Sequence, residues 1–182
     1  MRVIAGQAKG TRLAPVPEGT RPMTDRAREG LYSSLGDRVI DARVLDLYAG
    51  TGAVGIEALS RGASRATFVD RGADAITAVL ENLRRTKFED RADLRRSAVL
   101  PYLRGPAAPA DLVLVDAPYG LEPEEVDGVF AALHRGWLAP EGDWTVMLSR
   151  PRKGYTPGTP IDWQAAKLLN YGDTLIHLYR EI

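Results

Sequence analysis

Three carboxylates stand where apolar runs end. The stretch "LVLVDAPYG", Leu112 to Gly120, drives four apolar residues straight into Asp116, with Pro118 and Tyr119 close behind. Asp46 lies near the end of "RVLDLY", and Asp70 ends "RATFVD". Short apolar runs of this kind read as buried strands. In an open parallel sheet, ligands bind beyond the carboxyl ends of the strands, so all three acids are expected at one crevice.

The residues after Asp116 suit one kind of chemistry. An exocyclic amine of a nucleobase is a poor nucleophile because its lone pair is delocalised into the ring. Acceptors aimed at its two N–H groups localise that lone pair and stabilise the positive charge that grows as it attacks. Asp116 can supply one acceptor and the Ala117 or Pro118 carbonyl another, with Pro118 stiffening the turn. Tyr119 offers a ring on which the base can stack. Asp116, Pro118 and Tyr119 are therefore the candidate catalytic residues. The base must first leave its helix or come from an open loop.

The second reactant is read from "LDLYAGTGAVG", Leu45 to Gly55. Gly50, Gly52 and Gly55 spell G-x-G-x-x-G between a strand and a helix, and Asp70 lies where a carboxylate can accept ribose hydroxyls. A nicotinamide dinucleotide fits that spacing. Asp46 counts against it, because a carboxylate before the loop would repel a pyrophosphate at the helix start. No Lys follows the glycines, which excludes a P-loop. A ligand with ribose, adenine and a positive centre but no phosphate fits better, namely S-adenosyl-L-methionine. Its expected contacts are Asp46, Tyr48, Gly50, Gly52, Asp70, Arg71 and Thr24.

These groups need a frame. From residue 43 strand-like and helix-like segments alternate: "RVLDLY", "AVGIEALSRG", "RATFVD", "ADAITAVLENLRRT", "ADLRRS", a turn near "VLPYL", "DLVLVD", "EEVDGVFAALHRG" and "DWTVMLSR". That alternation predicts an α/β fold with a parallel sheet covered on both faces. "WQAAKLLNYGDTLIHLYRE" reads as two closing strands around a tight turn, with no helix between them and hence antiparallel. Thr24 predicts a helix N-cap, Ala27, Leu31 and Leu35 its buried face, and Gly36 its end.

Upstream, "RVIAGQAKGTRLA" predicts a small β-hairpin, joined by the Pro/Gly connector "PVPEGTRP". Residues 1–28 hold six basic and two acidic residues, although the whole chain balances 24 Lys and Arg against 24 Asp and Glu. A local positive excess suits a polyanion. The division expected is a hairpin extension over 1–20 and a catalytic domain over 21–182. So short a hairpin should lie on the surface, and its removal should spare the domain. The absence of cysteine excludes disulfides and thiolate metal sites, and two histidines leave no histidine cluster, so no metal is expected. "MRVIAGQAKG" lacks the apolar core of a signal peptide, and no apolar run reaches membrane-spanning length, which predicts a cytoplasmic protein.

"LDLYAGTGAVGIEALSRGA", "RPMTDRAREGLYSSL", "RVIAGQAKGTRL" and "VDAPYG" together resemble the RsmD family, over nearly the whole chain. The resemblance implies a Rossmann-like class I methyltransferase fold with a seven-stranded, mostly parallel sheet. It implies methyl transfer from S-adenosyl-L-methionine to the N2 amine of one guanine of 16S rRNA, in small subunits or a late assembly intermediate, by a monomer. The family's D-P-P-F/Y motif falls on Asp116 to Tyr119, with Ala117 in place of the first proline. Where the family places an acid near the adenine, "RRSAVLPYL" offers Ala98 and Val99, so backbone N–H groups are expected to serve there. The RNA path is expected along Arg2, Lys9, Arg12, Arg21, Arg26, Arg152 and Lys153, with Arg28 beside the cofactor mouth. Two other readings share these residues: a DNA adenine-N6 methyltransferase, for which 182 residues leave no recognition domain, and a non-catalytic RNA-binding assembly factor.

Overall fold

A computed structural model describes residues 1–17 and 20–182. Glu18 and Gly19, at the centre of the predicted connector, lie outside the described residues. The elements in chain order are α1 (Asp25–Leu35), β1 (Arg43–Leu47), α2 (Ala53–Ser60), β2 (Arg65–Asp70), α3 (Ala73–Thr86), β3 (Ala92–Arg96), α4 (Val99–Leu103), β4 (Leu112–Val115), α5 (Pro123–Leu133), β5 (Thr145–Pro151), β6 (Trp163–Tyr171) and β7 (Thr174–Glu181). The strands form one sheet in the order β3-β2-β1-β4-β5-β7-β6. The first five are parallel, and β7 is inserted antiparallel between β5 and β6.

The order reverses between β1 and β4, which opens a crevice above their carboxyl ends. Alternation along the strands divides the core into two layers. Val44, Phe68, Leu114 and Met147 pack with α1, α2 and α3 on one face. Leu45, Leu47, Val113 and Val115 pack with α4 and α5 on the other. The closing strands are tied to the second layer by aromatic rings, with Trp163 5.0 Å from Phe130 and 5.1 Å from Trp144 between centroids. The helix after the connector starts as its sequence predicts, the Thr24 hydroxyl accepting from Ala27 N at 3.1 Å.

The N-terminal segment departs from expectation. It makes a single antiparallel bridge, Arg2 to Arg12, in place of a two-stranded hairpin. Nor is it a free surface appendage, although Arg2, Lys9 and Arg12 are exposed. Val3 and Leu13 are buried in the same layer as α1 and α2. Polar groups then fasten the backbone. Glu57, fully buried on α2, accepts from Ile4 N at 2.8 Å and Ala5 N at 3.1 Å, and Asn82 on α3 accepts from Ala14 N at 2.7 Å. Arg28, also fully buried, donates to the Arg2 carbonyl and pairs with Asp25 and Glu57. Apolar side chains every few residues and a buried acceptor for the otherwise orphaned N–H groups make the segment part of the core. Arg28, expected beside the cofactor mouth, is instead an internal brace.

Candidate active site

The crevice at the strand ends is a cleft of about 570 Å³. Its walls include Gly50, Asp70 and Arg71 on one side, Asp116, Pro118 and Tyr119 on the other, and Arg21 at the connector. Four elements thus converge: the β1–α2 loop, the ends of β2 and β4, and the segment leading into α1.

Asp70 is tied to the glycine loop. Its Oδ2 accepts from Gly50 N at 3.0 Å and its Oδ1 from Gly72 N at 2.8 Å. Each carboxylate oxygen has a further lone pair, so Asp70 can hold the loop and still accept from a ligand hydroxyl.

Asp46, Gly52 and Thr24, expected as direct cofactor contacts, are absent from the cleft wall. Asp46 is 1% exposed and accepts from Gly55 N at 3.1 Å. Gly55 is the third residue of α2, and the residue before that helix, Gly52, has no side chain with which to cap it. Asp46 therefore supplies, from the strand, the acceptor that the helix start calls for. Burial, with Asp116 and Asp70 nearby, pushes the Asp46 carboxyl well above the usual carboxylate range. Gly55 explains the third glycine of the loop: a Cβ there would sit 2.6 Å from the Phe68 ring and 2.7 Å from Asp46 Oδ2. Thr24 has its hydroxyl committed to the cap of α1.

Asp116 lies one residue past β4 and remains partly open to the cleft. Desolvation raises its carboxyl to about 6, and a hydrogen bond from Ser149 on β5 offsets part of that rise. Leu121 N donates to the Pro118 carbonyl at 3.0 Å, closing the turn after Asp116. Ala117 is buried against the α4–α5 layer, so packing takes over from the missing proline. With the Pro118 carbonyl engaged, the Ala117 carbonyl is the better second acceptor. The Tyr119 hydroxyl bonds Thr174 Oγ1 at 2.7 Å, and the Arg21 guanidinium lies 5.6 Å from its ring centroid.

Sequence reasoning had no signal for Glu125, a third acid in the cleft wall. It is the third residue of α5 and accepts from the Tyr48 hydroxyl at 2.9 Å. Burial and that carboxylate push the Tyr48 phenol up, which keeps it a donor. Tyr48 also adopts φ 58°, a left-handed conformation uncommon for a bulky residue and typical of functional sites.

The basic residues separate into groups. Arg2, Lys9, Arg12, Arg26 and Lys153 are exposed, and Arg21 borders the cleft. Arg152 is exposed but its guanidinium is held by the Gly172 carbonyl at 2.8 Å and by Asn170, against the β6–β7 turn. Arg150, two residues earlier on β5, is only 4% exposed and is not a surface cation.

The whole chain is similar to known proteins. The family described as Conserved hypothetical protein 95 matches residues 1–180. The chain is 33% identical, over 99% of its length and 89% of the relative's, to Ribosomal RNA small subunit methyltransferase D of Escherichia coli K12. It is 31% identical to the putative rRNA methyltransferase YlbH of Bacillus subtilis, over 100% of its length and 99% of the relative's. The solved structure of the putative methyltransferase yhhF from Escherichia coli superposes with a TM-score of 0.88 at 30% identity, covering 100% of this chain and 97% of the other. With the sheet order, the glycine loop and the Asp116–Tyr119 turn in place, the chain belongs to the ribosomal RNA small subunit methyltransferase D family.

Proposed function

We propose that the protein transfers a methyl group from S-adenosyl-L-methionine to the exocyclic N2 amine of one guanine in the 16S rRNA of the small ribosomal subunit or a late assembly intermediate, acting as a monomer in the cytoplasm. One observation carries the reading: a strand-end acid suited to ribose, Asp70, and an amine-acceptor turn with a stacking ring, Asp116 to Tyr119, border the same cleft.

The cleft residues fit the cofactor. Asp70 has lone pairs for the ribose hydroxyls, Gly50 brings bare backbone beside it, and Arg71 and Tyr48 flank the opening. Asp46 acts behind the loop as a positioning residue that fixes the start of α2. Bound there, S-adenosyl-L-methionine supplies an electrophilic methyl group on a sulfonium.

The chain's own groups prepare the nucleophile. Tyr119 stacks on the guanine after it leaves its helix, with Thr174 holding the ring by its hydroxyl. Asp116 Oδ accepts one N–H of the amine, and the Ala117 carbonyl accepts the other. Both bonds strengthen as positive charge develops on nitrogen, so they favour the transition state over the ground state. Holding the amine beside the methyl group contributes through proximity. The exposed cations of the N-terminal segment, together with Arg21 and Arg26, offer phosphate contacts.

The test is methylation of small subunits purified from cells lacking the protein, with the product nucleoside identified by mass spectrometry. N2-methylguanosine at a single position is expected. A different modified nucleoside, or RNA binding without turnover, would overturn the proposal.

A further inference from the structure

Glu125 is the one acid among the described cleft-lining residues that neither ribose binding nor amine activation uses. Among the described residues no cation pairs with it; its partner is the Tyr48 hydroxyl, donated to Oε1. One carboxylate oxygen thus remains for another donor.

Its surroundings define what that donor belongs to. Tyr48 and Leu121 pack against the α4–α5 layer, and Ala98 and Val99, at the start of α4, line the same cleft. The middle of α5 packs on the start of α4: a Cβ on Gly128, one turn after Glu125, would lie 3.4 Å from Leu100 Cδ2. A carboxylate beside apolar walls suits a flat heterocycle with a projecting N–H donor. The strand order indicates which heterocycle. Asp70 ends β2, residues 98–99 follow β3 on one side of it, and Asp116 follows β4 on the other. A nucleoside held by its ribose at Asp70, with its reactive end toward Asp116, directs its base toward Ala98 and Val99, and the packing of α5 against α4 brings Glu125 into the same cleft wall.

We infer that Glu125, oriented by Tyr48, accepts a hydrogen bond from the 6-amino group of the cofactor's adenine and so selects an adenosyl over an inosyl cofactor. The inference rests on the cofactor reading above. A 6-oxo purine would set carbonyl lone pairs against the carboxylate, and a site built for a donor rejects a partner that lacks one. Ala98 and Val99, which line the same cleft, have no side-chain acceptor for such a donor. The left-handed backbone of Tyr48 acquires a purpose as well, because it sets the hydroxyl that orients the acid.

Calorimetry with S-adenosylhomocysteine and S-inosylhomocysteine tests this without turnover. The wild-type protein should prefer the adenosyl compound by roughly tenfold or more, the worth of one hydrogen bond to a charged acceptor. Glu125→Gln carries an amide that can also donate to a 6-oxo group, so its preference should shrink to within about threefold as one compound loses affinity and the other gains. Tyr48→Phe, which retains the acid but loses its orienting bond, should lie between the two and serves if Glu125→Gln does not fold. An unchanged wild-type preference in a folded Glu125→Gln protein, or in Tyr48→Phe where it stands in, overturns the inference and leaves the cofactor reading intact. Failure of the wild-type protein to bind S-adenosylhomocysteine overturns the cofactor reading itself.

Discussion

Asp46 stands one pleat below Asp116 on the same face of the sheet. It is in register with Leu114 on β4 and Phe68 on β2, two residues short of Asp116 and Asp70. Three acids of the same kind therefore do different work: the deep one holds the helix that carries the glycine loop, and the two outer ones face the cleft. Burial raises the carboxyls of both Asp46 and Asp116, and the nearby charges of Asp116 and Asp70 add to the rise at Asp46.

Methyl transfer should follow the ionisation of Asp116. Only the carboxylate is an acceptor on both oxygens, so the rate should be full above about pH 6 and fall as pH drops through about 6. Single-turnover rates across pH 5–8 measure this. Asp116→Ala should lose roughly a hundredfold or more in rate while keeping cofactor affinity. Asp116→Asn should retain one acceptor oxygen, lose less rate, and lose the acidic limb. A wild-type rate in Asp116→Ala would remove the amine-acceptor role.

Asp46 should show its structural role in melting experiments. Asp46→Ala removes the acceptor for Gly55 N and should destabilise the domain by about 1–2 kcal/mol, the usual worth of a helix cap, with cofactor affinity falling alongside. Asp46→Asn keeps an acceptor and removes the charge. Because the folded carboxyl is raised above its unfolded value, the native state favours the protonated form. Its contribution is fully present below the unfolded value and is lost as pH rises through the folded one. The melting temperature of Asp46→Asn relative to wild type should thus be higher at pH 8 than at pH 5.

The N-terminal segment should be inseparable from the domain. Deleting residues 1–17 removes Val3 and Leu13 from the core and strands Glu57 without its backbone donors. The loss should reach at least about 3 kcal/mol in urea unfolding, the scale of a buried large side chain. Gly6→Ala tests the docking alone. At φ 86° a Cβ would lie 1.9 Å from the Ser60 carbonyl oxygen, so a loss of about 1–3 kcal/mol is expected. RNA binding by this segment is better tested with Arg2→Ala, Lys9→Ala and Arg12→Ala, whose exposed side chains can be cut without unfolding it. The triple variant should melt like wild type while the salt dependence of subunit binding flattens.

Base capture should depend on the Tyr119 ring more than on its hydroxyl. Tyr119→Ala should weaken productive binding of the small subunit by about 1–3 kcal/mol of stacking. Tyr119→Phe loses only the bond to Thr174 and should cost less. Single-turnover rates measured against subunit concentration separate these losses in binding from losses in the chemical step.

The order of elements and the chemistry at the strand ends are local properties, and for that reason the sequence alone determined them. Apolar runs with period two or 3.6, a Thr cap and glycines at helix ends are written within a few neighbours, and they yield the alternating parallel fold and a cleft with Asp70, Asp116 and Tyr119 at its walls. What the tertiary structure alone decided are relations between distant segments. Register decides that Asp46 is deep and Asp70 shallow, although both lie at strand ends. Packing turns Arg28 inward to meet Glu57, 29 positions away, and pulls an apparently free hairpin into the core. Glu125 reads in sequence as an ordinary acid in the first turn of a helix. Only the approach of α5 to Tyr48 and α4 makes it part of the cleft, because a side chain's solvent and partners are set by which surfaces meet and not by its neighbours along the chain.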